Sequence, residues 1–316
     1  MIAPACTHAN KKKNGKDRQG NQRYKCKDCG QSLSDAKPNP LGDMRLNIDK
    51  ACMALGMLLE GMSIRATARL TGIEKKTLGK LVLFAGDKCE QFFNAVVRDV
   101  EAKDVQADEI WSFVGCKEKT RKRLGKSEDQ GDSWTWIAIE RDTKLVLAYH
   151  VGTRSGNDCQ TFLDRMDKAI SGRFQLTTDG LGAYKNNVPF TFRGRVDFGQ
   201  LVKHYQNSPK EIRYSPATII AIDKNVVIGN PDEDRICTSH IERLNLTLRM
   251  QMRRFTRLTN GFSKTIEHHT AMQNLFFTWY NFCRKHITLQ GHTPAMASGL
   301  TPRVMKLREV FEVMAA

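Results

Sequence analysis

The sequence predicts an α/β chain in which a mixed-sheet domain follows an all-α unit and a short cysteine-bearing segment. Three observations carry this. From about residue 104 onward, β-branched and aromatic runs alternate with polar residues; helical periodicity fills residues 46–97; and residues 1–37 are polar and basic with little apolar periodicity. A single core usually stops growing near about 250–300 residues, so a chain of 316 residues is expected to hold more than one domain. The expected bounds are 1–37, 38–99 and 100–316, the first marked by the break at Pro38-Asn39-Pro40.

Composition narrows the class. A hydrophobic fraction of 40% is enough to build cores and excludes a disordered chain. The net charge of +16 favours a polyanionic partner, either nucleic acid or an acidic membrane surface. No run of about 18 apolar residues is present, so no membrane span is expected. MIAPACTHANKKKNGKDRQG lacks the apolar core of a secretory signal, so a cytosolic chain is expected. Of nine cysteines, Cys52, Cys89, Cys116, Cys159, Cys237 and Cys283 stand singly among apolar neighbours and read as reduced, buried small residues.

The first segment holds a knuckle, Tyr24-Lys25-Cys26-Lys27-Asp28-Cys29-Gly30. Two thiolates at this spacing reach one tetrahedral ion, and the glycine lets the turn close. Cys6 and His8 are the upstream candidates, giving a Cys3His set for one structural Zn²⁺ in a zinc-ribbon-like segment. The matching knuckle is incomplete, with Ala3 where a first cysteine would stand, so a degenerate ribbon without zinc is the alternative. So short and polar a segment has no core of its own, and a metal would be needed to fold it.

The second segment carries a helix-turn-helix pattern. Asn47 to Leu59 reads as a first helix. Ser63 is placed to cap the next, Ala68 is small where two helices approach, and Gly72 falls where the turn needs a positive φ. Ile73, Leu78 and Leu81 pack the last helix back, which leaves Lys75, Lys76, Thr77 and Lys80 to meet DNA in a major groove. An ordinary helical hairpin is the competing reading.

The third segment carries the acids. Val105 to Val114 reads as a strand bearing Asp108 and Glu109, followed by strands Trp134–Ile139 and Leu145–Val151 joined by a polar turn. Lys117 to Asp132 reads as a charged exposed loop, Asp158 to Ile170 as a helix, and Phe174 to Gly180 as a fourth strand ending at Asp179. Three antiparallel strands, a helix and a parallel strand form the RNase H-like order, in which Asp108 and Asp179 lie side by side. Adjacent carboxylates repel unless a cation neutralises them, and a Mg²⁺ pair there could activate an attacking oxygen and stabilise a leaving one. Glu109 is expected to point away from that site, because successive strand residues face opposite sides.

The third acid comes from a helix over Ser239 to Phe255. Ile241, Leu244, Leu248, Met252 and Phe255 form its core stripe, and Glu242, Asn245, Arg249 and Arg253 a polar one. Two readings of Glu242 stay open. It is a metal ligand, or it completes a capping box with Ser239; the two strand acids favour the first. Arg243, Arg249, Arg253, Arg254, Arg257 and Lys264 follow with no acid among them, which fits a DNA backbone track.

QADEIWSFVG, LTTDGLGAY, TSHIERLNLTLR, RFTRLTNGFSKT and WYNFCRKH resemble the transposases of the insertion-sequence-one family, as do NGKDRQGNQRYKCKDCG and the helix-turn-helix. The resemblance covers nearly the whole chain. It implies that the family's DDE acids fall on Asp108, Asp179 and Glu242. It further implies Mg²⁺- or Mn²⁺-dependent cutting at element ends, joining of the 3′-OH to target DNA, and a homo-oligomer assembled on double-stranded DNA in the bacterial cytoplasm, associated with the nucleoid. The sequence departs from the family at Ala3 and in an insert from about Phe190 to Cys237, part of the family sharing such an insert. In the insert, Lys203, His204, Tyr205, Lys210, Arg213 and Tyr214 could touch DNA or form a surface excursion. Two further functions compete with transposition: an RNase H-like nuclease that cuts without joining, and a DNA-binding regulator of the element that has lost its chemistry.

Overall fold

The computed structural model describes residues 6–16, 22–34, 39–205, 219–256 and 259–314. The first described elements are three short strands, β1 (Lys11–Lys16), β2 (Gln22–Cys26) and β3 (Ser32–Ser34), paired antiparallel in chain order. Every residue of β1 is exposed, while Cys26 at the end of β2 is buried. This small sheet buries little beyond the residues around Cys26.

Helices α1 (Ile48–Leu59), α2 (Ile64–Thr71) and α3 (Lys75–Val96) follow. Their ends are set locally. The Asn47 side chain accepts from the backbone N–H groups of Asp49 and Lys50, Ser63 from that of Ala66, and Glu74 from that of Thr77. Gly72 ends α2 at φ 65°, a left-handed conformation that costs glycine nothing. The α2–α3 turn therefore has the geometry expected from the sequence. Helix α3 continues well past Leu81, because its second half packs on α8 (Ile266–Phe282). Gly86 permits this approach, since a Cβ there would sit 2.5 Å from Ala271. Edge-to-face pairs Phe92–Phe282 and Phe93–Tyr149, both at 5.0 Å, continue one core from α3 through α8 to the large sheet.

After the two-residue strand β4 (Val100–Glu101) the large sheet begins. Its strands are β5 (Asp104–Val114), β6 (Gly131–Glu140), β7 (Val146–Gly152), β9 (Phe174–Thr178), β10 (Val196–Tyr205) and β11 (Ile219–Ile228); the short β8 (Ile170–Ser171) pairs with β4. The order across the sheet is β11-β10-β9-β5-β6-β7. Strands β5, β6 and β7 form an antiparallel meander, β9 lies parallel to β5, β10 parallel to β9, and β11 antiparallel to β10. Helices α4 (Glu118–Leu124), α5 (Gly156–Ala169), α6 (Gly182–Phe192), α7 (Ser239–Gln251), α9 (Pro294–Ala297) and α10 (Leu307–Val313) complete the chain.

Four expectations need correction. The segment Lys117 to Asp132 is not loop throughout: α4 forms within it, closed by Gly125 in the left-handed region. The supposed insert from Phe190 to Cys237 includes β10, whose Val196, Phe198 and Leu201 are buried against the sheet, so its first part belongs to the core. The helix expected to reach Phe255 stops at Gln251, where Met252 turns extended, and a single 3₁₀ turn takes over at Arg253–Phe255. Of the six scattered cysteines, Cys89, Cys116 and Cys159 are buried, whereas Cys52, Cys237 and Cys283 are only half-buried. No described helix is long and apolar enough to cross a membrane.

Candidate functional site

Asp108 lies in the middle of β5 and Asp179 directly after β9. The two strands pair in parallel only as far as Gln106↔Thr177. Beyond that point a cleft opens, and carboxylate oxygens of Asp108, Glu109 and Asp179 lie within 4.8 Å of one another. Burial, followed by the charges of Glu109 and Asp179, pushes the Asp108 carboxyl up to about 7.

Glu109 does not point away as expected. Strand alternation fixes the direction of its Cβ, but among the described residues β5 has no ladder partner on this side between Gln106 and the isolated Val114–Ser263 bridge. The longer Glu109 side chain reaches the cleft from the opposite face. There Arg154 donates to its Oε1 through Nε at 2.8 Å and Nη2 at 2.5 Å, and the Tyr184 hydroxyl donates to its Oε2 at 3.2 Å. Burial and Asp179 raise the Glu109 pKa, and Arg154 opposes them.

Glu242 stands outside this three-carboxylate cluster, though close enough for its charge to act on Asp108. Its side chain is 47% exposed and is ion-paired with Lys203 of β10, while the Thr238 hydroxyl donates to its Oε1 at 2.6 Å. The capping box with Ser239 does not form either. Ser239 is already helical, and the first N–H groups of α7 are taken by Gln106 of β5, whose Oε1 accepts from His240 at 2.9 Å and Ile241 at 3.1 Å. Asn245, one turn on from Glu242, is buried rather than facing DNA, and its Nδ2 donates to Asp108 Oδ2 at 2.8 Å.

The donor set fits a divalent cation. It is all oxygen, as Mg²⁺ and Mn²⁺ require. Among the described residues Arg154 is the one guanidinium paired with this cluster, through Glu109 and Asp179. Asn245 Oδ1 is also buried with no partner among the described residues. Sequence reasoning missed Arg154 and Gln106 and read Lys203 only as a candidate DNA contact, because each finds its partner across the fold rather than along the chain.

The second cluster is Cys6, His8, Cys26 and Cys29, whose ligand atoms also lie within 4.8 Å of one another. Cys6 Sγ is 3.7 Å from Cys26 Sγ, and Cys29 Sγ is 3.3 Å from His8 Nδ1. Those separations match the edges of a tetrahedron built on metal–ligand bonds of about 2.0–2.3 Å, and sulfur with imidazole nitrogen is the zinc donor set. The backbone N–H of Cys29 leads the interactions that lower the Cys26 thiol to about 6.

The cationic candidates divide. Lys75, Lys76 and Lys80 are exposed at the start of α3, with Thr77 half-buried between them. Arg243 and Arg253 are exposed and Arg249 is half-buried. Arg254 is drawn inward, where burial lowers it to about 10 and its Nη1 donates to Ser263 Oγ at 3.1 Å. The cause is the end of α7 at Gln251, after which the 3₁₀ turn redirects the chain. Arg257, Lys210, Arg213, Tyr214 and Ala3 lie outside the described residues, while His204 and Tyr205 are exposed at the end of β10.

Over 177 residues the chain is 28% identical to the "Insertion element iso-IS1n protein InsB" of Shigella dysenteriae. The match covers 56% of this chain and 95% of that protein. No protein-family profile matches the chain. The similarity to an insertion-element protein supports the insertion-sequence-one resemblance.

Proposed function

We propose that the chain is a DDE transposase with an RNase H-like catalytic domain, which binds the ends of an insertion element and cuts and joins DNA. What carries the reading is the meeting of Asp108 and Asp179 on neighbouring parallel strands of a sheet ordered β11-β10-β9-β5-β6-β7. The similarity to an insertion-element protein supports the same conclusion.

In this reading Asp108, Asp179 and Glu242 would hold the divalent cations, with Glu242 paired to Lys203 in this structure. Bound Mg²⁺ or Mn²⁺ would supply the charge that activates an attacking oxygen and stabilises a leaving one. The chain's own residues do the positioning. Asn245 orients Asp108, Gln106 anchors the start of α7 on β5, and Tyr184 and Arg154 fix Glu109. Residues 1–37 hold one structural Zn²⁺ through Cys6, His8, Cys26 and Cys29, residues 38–99 form the helix-turn-helix, and residues 100–316 carry the chemistry. Lys75, Lys76, Thr77 and Lys80 meet the element ends, and Arg243, Arg249 and Arg253 track the backbone. The protein acts as a homo-oligomer on double-stranded DNA in the cytoplasm.

The test is a labelled duplex taken from the DNA flanking the gene, incubated with protein and Mg²⁺. Cut ends together with products joined through a 3′-OH are expected, and Asp179→Asn should lower both by several orders of magnitude while end binding persists. Cutting alone would replace the reading with a nuclease, and retention alone with a regulator.

A further inference from the structure

The loop between β7 and α5 delivers a cation to the carboxylate cleft. Arg154 stands two residues past the end of β7 and directly before Ser155, the cap of α5. Its Nε and Nη2 both converge on one oxygen of Glu109, and Nη2 lies 3.7 Å from Asp179 Oδ2. The guanidinium also lies over the ring of Trp134 at 4.8 Å. An arginine that serves only to neutralise a carboxylate usually engages both oxygens in parallel. Here the second Glu109 oxygen is turned to Tyr184, and Arg154 Nη1 hydrogen-bonds nothing among the described residues. The pair is asymmetric in exposure as well: the Glu109 side chain is 1% exposed and that of Arg154 41%. A buried anchor thus holds an outward-facing cation.

We propose that Arg154 contacts the substrate: held by Glu109 and Trp134, its free edge takes a non-bridging phosphate oxygen of the DNA strand lying at Asp108 and Asp179. The inference rests on the transposase reading for the identity of that strand. Its physical basis is repulsion. Three clustered carboxylates disfavour an approaching phosphodiester, and a guanidinium at the rim offsets this locally. The two contacts to Glu109 and the stack on Trp134 hold a long side chain in place before DNA arrives, so less conformational freedom is lost on binding. The same donor would then face charge that builds on the phosphoryl oxygens during transfer.

Arg154→Ala alone would strand a buried carboxylate and could fail to fold. The decisive variant is therefore Glu109→Gln with Arg154→Met, which removes both charges, with Glu109→Gln and Arg154→Lys as controls. Binding to the flanking duplex is measured in Ca²⁺ over a range of salt, and cutting in Mg²⁺. Loss of one phosphate contact should lower the slope of log affinity against log salt by about 0.9 in the double variant and leave it unchanged in Glu109→Gln. Arg154→Lys should keep the slope but lose cutting by about tenfold or more. Relative to Glu109→Gln, the double variant should lose about 10²–10³ in kcat. Folding is followed by thermal melting, and Mn²⁺ affinity by paramagnetic resonance. A melted double variant passes the decision to Arg154→Lys, whose wild-type rate would overturn the proposal. A folded double variant with the slope and rate of Glu109→Gln would overturn it as well. Absence of Mg²⁺-dependent cutting by the wild-type chain would overturn the transposase reading, and the salt slope would still decide whether Arg154 meets a phosphate.

Discussion

Asn245 and Asp108 join α7 to the centre of β5: the amide Nδ2 donates to the carboxylate at 2.8 Å across a buried interface. The bond favours the charged form of an acid that burial drives towards neutrality. Asn245→Leu keeps the packing of Ile241, Leu244 and Leu248 and removes the donor to Asp108 together with the unpartnered Oδ1. A hydrogen bond to a charged group is worth about 1.5–3 kcal/mol, so Mn²⁺ affinity at the cleft should drop by about 10–100-fold. Calorimetric titration with Mn²⁺ checks this. An unchanged affinity in a folded variant would mean that Asp108 is held by its strand alone.

Lys203 and Glu242 form a second such relationship, an ion pair at the edge of the cleft. If Glu242 is a ligand, Lys203 competes with the cation for it. Lys203→Met should then tighten Mn²⁺ binding several-fold at low occupancy, whereas Lys203→Arg should not. Weaker binding in Lys203→Met would show that the lysine supports the site instead of competing with it.

What the sequence made legible, and what it did not, follows from the range of the interactions. The β5 and β9 acids were readable because alternation and strand ends are local signals. Glu109 was misplaced because alternation says nothing about where a neighbouring strand stops. Asn245 was read as outward-facing from its polar stripe on a helix, and Arg254 from the acid-free basic run that follows. One is turned inward by an acid on β5, and the other by the end of α7 and the serine beyond it. Strand β10 was taken for part of an insert because the long spacing between Asp179 and Glu242 was compared with the family and not read for its own pattern, although Phe198 and Leu201 are buried. Gln106 capping α7 from another element has no signature in the sequence around either partner.

The cysteine–histidine cluster gives a prediction independent of catalysis. Protein purified under reducing conditions should carry about one zinc per chain, bound at about 2.0–2.3 Å. Cys29→Ser should lose it, and chelation should melt β1–β3 while leaving the large sheet folded, since the small sheet has little buried surface of its own. Elemental analysis with hydrogen exchange over residues 6–34 reads both effects. Zinc-free protein with full protection there would overturn the assignment.

His269 provides a test of stability against pH. It is fully buried, and burial followed by the charge of Arg254 lowers its pKa from 6.5 to about 3. The hydrogen bonds assign its tautomer. Ser112 Oγ donates to the Ser133 carbonyl at 3.1 Å, so it can only accept from His269 Nε2 at 3.0 Å. Ring Nδ1 is then the acceptor from Ser263 Oγ at 2.9 Å, and Ser263 in turn accepts from Arg254. Protonation of Nδ1 would set two donors against each other beside a buried guanidinium. Below pH 6.5 the unfolded chain binds a proton here that the folded chain refuses until near pH 3. The contribution of His269 is therefore fully present above pH 6.5 and is lost as pH falls through that window, by up to about 1.4 kcal/mol per pH unit. His269→Gln lowers stability at pH 7 by disrupting the chain of bonds, yet its unfolding free energy should fall less steeply between pH 6.5 and 4.5. Urea unfolding at several pH values measures the two slopes. His286, lowered to about 4, titrates in the same range and remains in both proteins, so the difference between the slopes isolates His269. Equal slopes would mean that the ring accepts its proton in the folded state and that the assigned tautomer is wrong.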